Sequence, residues 1–201
     1  DEQVPGVRIG LYGLMLGLCG NQDDAKLLEK KILDRTSEFR LGIDGVMGGY
    51  LLLTGETGLQ FLKDNVLKQE DIASGELLSA MQAMRFMWTY GDDRISKQQL
   101  RDAMRLMIDH PLHIDMAIRD LSRWDDWSDM DRVVALYGTP GYDDLAVKVA
   151  IIKYVIAATN RPGDDTPENK AIKSSARKHL EALRERDPKI VQRTVRFSDL
   201  E

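Results

Sequence analysis

The sequence has a single cysteine, Cys19, among 201 residues, so neither a disulfide within the chain nor a cysteine-rich metal site is open to it. Histidine is almost as scarce: His110, His113 and His179 are the whole supply, with no His-Glu-x-x-His run and no repeated His-Glu or His-Asp pair. No apolar run approaches the roughly 18 residues that a membrane-crossing helix needs. A Gly-x-Ser-x-Gly elbow is missing and Cys19 has no histidine near it in sequence, which leaves nucleophilic catalysis without a local signature. Basic excess is lacking too. The formal net charge is −5; residues 1–163 hold 19 Lys/Arg against 25 Asp/Glu, and residues 164–201 hold 9 against 8. A duplex nucleic-acid binder usually carries a basic excess or stripe, so a basic patch here depends on the fold gathering distant arginines.

What is present is the composition of an ordinary soluble domain, 43% hydrophobic and 30% charged, on a chain long enough to bury a real core. The chain opens on Asp1 and not on methionine, which fits a mature product or a piece of a longer chain. The compartment is therefore left open between the cytoplasm and export.

Apolar residues recur at spacings of three and four along most of the chain, which predicts amphipathic helices. Ile9, Leu14 and Leu18 suggest a buried first helix, with Cys19 packed as a small hydrophobe and Gly20 supplying a positive φ after its end. Asp23 is expected to cap the next helix, whose stripe is Ala25, Leu28 and Ile32. Leu59, Leu62 and Val66 line another helix, and Leu77, Met81, Met84 and Trp88 a further one, widened by Phe86 and Met87. Ser96 and Gln99 have the spacing of a capping box ahead of Leu100, Met104 and Met107. Ile114, Ile118 and Leu121 follow, then Met130, Val133, Val134 and Tyr137. The most apolar helix carries Leu145, Val149, Ile152 and Ile156 as its expected main stripe, flanked by Val147, Ile151 and Val155. Its length and the presence of Lys148 and Lys153 favour a helix over a strand. Ile172, Ala176, Leu180 and Leu183 mark the last clear stripe before Pro188, and the tail from Ile190 is open between a helical turn, a docked strand and neither.

The breaks between paired helices fall near Gly20, Gly55, Gly91, Asp125 and Asn160, at spacings of 35, 36, 34 and 35 residues. A regular period of this size marks a helical repeat, in which each hairpin buries its apolar face only against its neighbours. The hairpins are expected over 7–33, 43–67, 77–108, 113–137 and 143–186 of a single domain spanning 1–201. On this period the chain resembles the HEAT-like and armadillo-like helical repeat proteins. The tetratricopeptide pattern and the Thr-Pro-Leu-His run of ankyrin repeats are absent. The resemblance implies an all-α fold, a right-handed alpha-alpha superhelix of about five helical hairpins, whose inner face is built largely from second helices and binds partners. Iron-dependent hydroxylases on HEAT-like repeats use His-Glu pairs, and this chain has none.

Gly13 and Gly17 share one helical face, and Gly45 and Gly49 repeat this spacing 32 residues later. Each mid-helix glycine costs roughly 1 kcal/mol against alanine, so a close approach of neighbouring helices is the expected return. A phosphate cradle at Gly42 to Gly48 lacks the Lys-Ser/Thr of a P-loop. The acidic pairs Asp23-Asp24, Asp92-Asp93, Asp125-Asp126, Asp143-Asp144 and Asp164-Asp165 are expected to be helix caps and first-turn charges. The candidate recognition patch is Trp124, Trp127, Arg123, Arg119 and His113, where two tryptophans sit close to arginines. The competing reading is that both rings seal a junction between hairpins. Arg177, Lys178, Arg184, Arg186, Lys189, Arg193 and Arg196 make the end mildly basic, either as a solvated face or as a docking strip for an acidic partner. No catalytic, cofactor or metal residue is assigned. The expected function is a non-enzymatic domain that binds or scaffolds another protein. An enzyme or small-ligand protein on the same scaffold is the first alternative and a nucleic-acid binder the second; the oligomeric state stays open.

Overall fold

A computed structural model describes residues 5–35, 40–164 and 166–198, apart from the side chains of Val7, Phe197 and Ser198. Asp165, and with it the second half of the pair Asp164-Asp165, lies outside the described residues. Every regular element among them is helical. In chain order these are α1 (Gly6–Cys19), α2 (Gln22–Leu33), α3 (Ile43–Thr54), α4 (Glu56–Leu62), α5 (Ser74–Tyr90), α6 (Lys97–Arg105), α7 (Ile114–Arg123), α8 (Met130–Ala135), α9 (Leu145–Thr159), α10 (Pro167–Arg186) and α11 (Pro188–Ser198). A wider π-type turn, Lys63–Leu67, extends α4, and a tighter turn, Leu106–Asp109, extends α6. None of these helices is long and apolar enough to cross a membrane. By its internal packing the chain divides into two compact units, Asp1–His113 and Ile114–Glu201.

In the first unit, α1 packs along α3 and α3 along α5. Glycine makes the first of these contacts possible. A Cβ placed on Gly13 would lie 2.7 Å from Val46 Cα, one on Gly17 2.5 Å from Gly49 Cα, and one on Gly45 2.5 Å from the Gly10 carbonyl oxygen. On Gly49 it would fall on the Gly13 carbonyl oxygen itself. The two glycine faces read from the sequence therefore do meet, backbone against backbone. α3 is buried along nearly its whole length from Val46 to Leu52. Glu76 in the first turn of α5 is buried, and its two carboxylate oxygens accept from Arg40 Nη1 at 2.7 and 2.8 Å. Arg40 also donates to the carbonyls of Lys31 and Ile32 at the end of α2, so one guanidinium ties α2 to α5.

Several local expectations are corrected here. Cys19 is exposed, with its thiol donating to the Met15 carbonyl at 3.1 Å, because α1 turns its glycine side and not its leucine side to α3. For the same reason Leu18 is 70% exposed, together with Leu11 and Met15. Gly20 has φ −80° and ψ −178°, an extended residue and not a left-handed one. Asn21 takes the cap expected of Asp23: its side chain accepts from Asp23 N, and Asp24 completes the capping box. The box of Ser96 and Gln99 forms as its spacing predicts.

The second unit is organised around α9, which α7, α10 and α11 all pack against. Asp144 starts α9 by accepting from Ala146 N at 2.7 Å, and Thr166 caps α10 by accepting from Asn169 N at 3.1 Å. Among the described residues of the acidic pairs, Asp144 takes a direct cap position and Asp23 and Asp24 lie in the first turn of α2 as expected, whereas Asp92, Asp93 and Asp125 occupy left-handed turn positions, with φ of 47°, 57° and 55°. The tail is helical, α11 beginning at Pro188, whose fixed φ suits a first turn.

Candidate partner-binding surface

α9 is apolar around most of its circumference, so more than one stripe competes for the core. Val147, Ile151, Ile152, Tyr154 and Val155 are buried. The expected main stripe is only partly so: Ile152 is inside, Leu145 is 56% exposed, and Val149 and Ile156 are half-buried. The stripe named as the flank is the one that carries the packing.

The apolar residues left outside form the floor of two grooves. Between α9 and α11, Leu145, Val149 and Ile190 floor a space of about 400 Å³ flanked by Lys153, Lys189 and Arg193. Between α7 and α9, Val149 and Ile156 floor a space of about 530 Å³ flanked by Arg119, Arg123 and Lys153. Val149 and Lys153 belong to both. Among the described residues no carboxylate lines either groove. Five cations therefore border one apolar ridge, in a unit whose sequence holds 15 Lys/Arg against 16 Asp/Glu. The charge is segregated, not absent.

The cations differ in how they are held. Arg119 Nη2 lies 3.0 Å from Asp115 Oδ2, and Arg123 Nη1 lies 3.7 Å from Asp120 Oδ1, each within α7. Lys189 and Arg193 have no ion-pair partner among the described residues.

The five residues of the expected recognition patch are divided between the two units, His113 in the first and the other four in the second. Trp124 and Trp127 are core residues, 5% and 7% exposed. Trp127 Nε1 donates to Asp125 Oδ1 at 2.8 Å, and its ring lies 4.8 Å from that of Tyr154, whose hydroxyl donates to the Asp126 carbonyl at 2.7 Å. Burial of both rings removes them as the exposed centre of a patch. His113 falls in the first unit, its Nε2 2.7 Å from Ser74 Oγ. Only Arg119 and Arg123 share a surface, and Lys153, Lys189, Arg193, Leu145 and Val149 are the additions that sequence reading did not single out together. One signal was available: α9 offers more apolar positions than a single packed face uses.

Several polar groups elsewhere make structural contacts. Arg161 grips Asp125 through Nε at 2.7 Å and Nη2 at 2.6 Å, which raises the guanidinium above its usual range. His110 Nε2 meets the Leu67 carbonyl at 2.5 Å and His179 Nε2 meets Asp131 Oδ1 at 2.6 Å, so the three histidines serve three separate contacts. Among the described residues no three His, Cys, Asp or Glu side chains gather as metal ligands. No family model, curated protein or solved structure matches the chain.

Proposed function

We propose that the chain is a non-enzymatic, HEAT/armadillo-like helical repeat domain that binds another protein, and that the cation-bordered ridge of α9 is where it does so. The observation that carries this is the pairing of an exposed apolar floor with five cations and no lining carboxylate. Exposed apolar surface rimmed by charge is the composition of a protein interface, whose centre loses water and whose rim steers the partner.

The repeat reading is supported by the break spacings of 34 to 36 residues and by the side-by-side α1, α3 and α5. Contacts between matched breaks support it further. Arg94 donates to the Leu52 carbonyl at 2.5 Å across 42 residues, and Arg161 reaches Asp125 across 36. An enzyme on this scaffold would need convergent polar groups with shifted protonation in an enclosed site, whereas the two open grooves pair apolar residues with cations and the neutral polar groups of Ser122, Tyr154, Asn160 and Thr194.

The test is affinity capture with the intact chain, wild type beside Arg119→Glu/Arg123→Glu/Lys153→Glu. The expected result is a captured protein that the triple variant loses, with helical circular dichroism and melting temperature unchanged. Capture that survives the charge reversal would remove the α9 ridge from the proposal.

A further inference from the structure

We infer that the groove between α9 and α11 receives an acidic amphipathic helix of the partner, with apolar side chains on Leu145, Val149 and Ile190 and carboxylates against Lys153, Lys189 and Arg193. This rests on the protein-binding reading above and specifies the chemistry of its occupant.

The floor comes first. Among the described residues, Leu145 is exposed and Val149 and Ile190 are half-buried, so all three stay in contact with water unless something apolar covers them. The borders come next. Lys189 and Arg193 stand four residues apart, one turn of α11, while Lys153 stands across the groove on α9. An occupant therefore meets an apolar strip with positive charge along its α11 side and, at Lys153, one turn beyond Val149 at its end on α9. A helix with apolar residues at spacings of three and four, flanked by glutamates or aspartates, presents the complement. The length agrees. Leu145 to Lys153 covers nine residues of α9, a rise of about 12 Å or roughly two helical turns.

Charge compensation separates this groove from its neighbour. Across α9, Arg119 and Arg123 already face Asp115 and Asp120, which weakens their pull on an incoming anion. Lys189 and Arg193 carry no such partner among the described residues, so an incoming carboxylate meets their full charge. A phosphate backbone would satisfy the same cations but leave the three apolar residues uncovered, which is why an acidic peptide fits better than a nucleic acid.

The experiment measures fluorescence anisotropy of a labelled model peptide of about 15 residues, the length of α9, titrated with the intact chain. The peptide carries leucines on one helical face and glutamates on both flanks. Binding should weaken roughly tenfold or more in Lys189→Glu/Arg193→Glu and only a few-fold in Arg119→Glu/Arg123→Glu, and should fall as salt is raised. The lysine-flanked version of the peptide should bind the Lys189→Glu/Arg193→Glu protein better than the wild type, a gain that a misfolded variant cannot produce. Equal binding of a peptide with alanine in place of leucine would overturn the apolar floor. Duplex DNA competing through the same two cations would overturn the peptide assignment. Peptide binding lost only in Arg119→Glu/Arg123→Glu would overturn this groove and leave the protein-binding reading standing on the α7 side. No peptide binding, with natural capture still sensitive to the α9 ridge, would defeat this inference alone; failure of both experiments would defeat both.

Discussion

A methyl group added at Gly49 lands on the carbonyl oxygen of Gly13, and neither backbone has a soft side chain to move aside. Gly49→Ala should therefore cost on the order of 2 to 3 kcal/mol, read as a lower urea midpoint. Gly75→Ala, with nothing within 4 Å of the new atom, should gain up to about 1 kcal/mol from helix propensity. At Glu76 the issue is charge. Its removal as Glu76→Ala leaves Arg40 buried without its carboxylate, and about 3 to 5 kcal/mol of stability should go with it in the same assay. Two buried hydroxyls govern the alkaline limit. Burial first, then the carboxylate each one faces, pushes Tyr50 beside Glu29 and Tyr137 beside Asp187 up to about 12. In the unfolded chain they titrate near 10, so the unfolded state loses protons first and stability falls as pH rises from about 10 towards about 12. Below that window they add no slope. Tyr50→Phe and Tyr137→Phe should each flatten the fall, measured as urea midpoints across the window. At this scale the sequence displayed the glycine contact plainly, since only a close approach justifies four glycines at matched spacing in two helices. It hid the outward heading of Cys19, which depends on which way a helix faces and not on the residue's own character, and it left Trp127 open between a recognition patch and the packed ring that the structure has.

Helix α9 is the element on which packing and recognition are hardest to separate. Its apolar residues run almost all the way round, so sequence periodicity fixed that it is a helix but not which face is inside. Packing by α7, α10 and α11 selects Ile151 and Val155 and leaves Leu145 outside. Ile151→Ala should cost about 2 to 5 kcal/mol through the cavity it leaves, whereas Leu145→Ser should leave the melting temperature nearly unchanged while weakening peptide binding. The reverse ranking in a melting experiment would mean that the two faces are assigned the wrong way round. The groove was half legible. Lys189 and Arg193 stood out as part of a mildly basic end, but Leu145 and Val149 read as core, because nothing local in a sequence says that a third neighbour is missing on one side of a helix. α11 itself was not readable, since its short weak pattern becomes a helix only through contact with α9 and α10.

Each of the two units has one central helix: α3 between α1 and α5, and α9 among α7, α10 and α11. Opening a central helix exposes every contact it makes, so its amides exchange only with the largest local opening. Native-state hydrogen exchange on the whole chain should show two maxima of protection, one in each central helix, with α1 well below α3. A single maximum in α10 would contradict this organisation. The all-helical class was visible in the sequence because helix periodicity and turn residues are local signals; the division at residue 113 was not, because it depends on contacts that skip along the chain. The glycine seam also has a consequence for α1 as a body. Contact at the level of the main chain works like a keyway: it forbids rotation about the helix axis as well as sliding along it. Leu11, Met15 and Leu18 thus have no freedom to roll inward when water is unfavourable, and the outward heading of that greasy edge is set by the glycines on the opposite side.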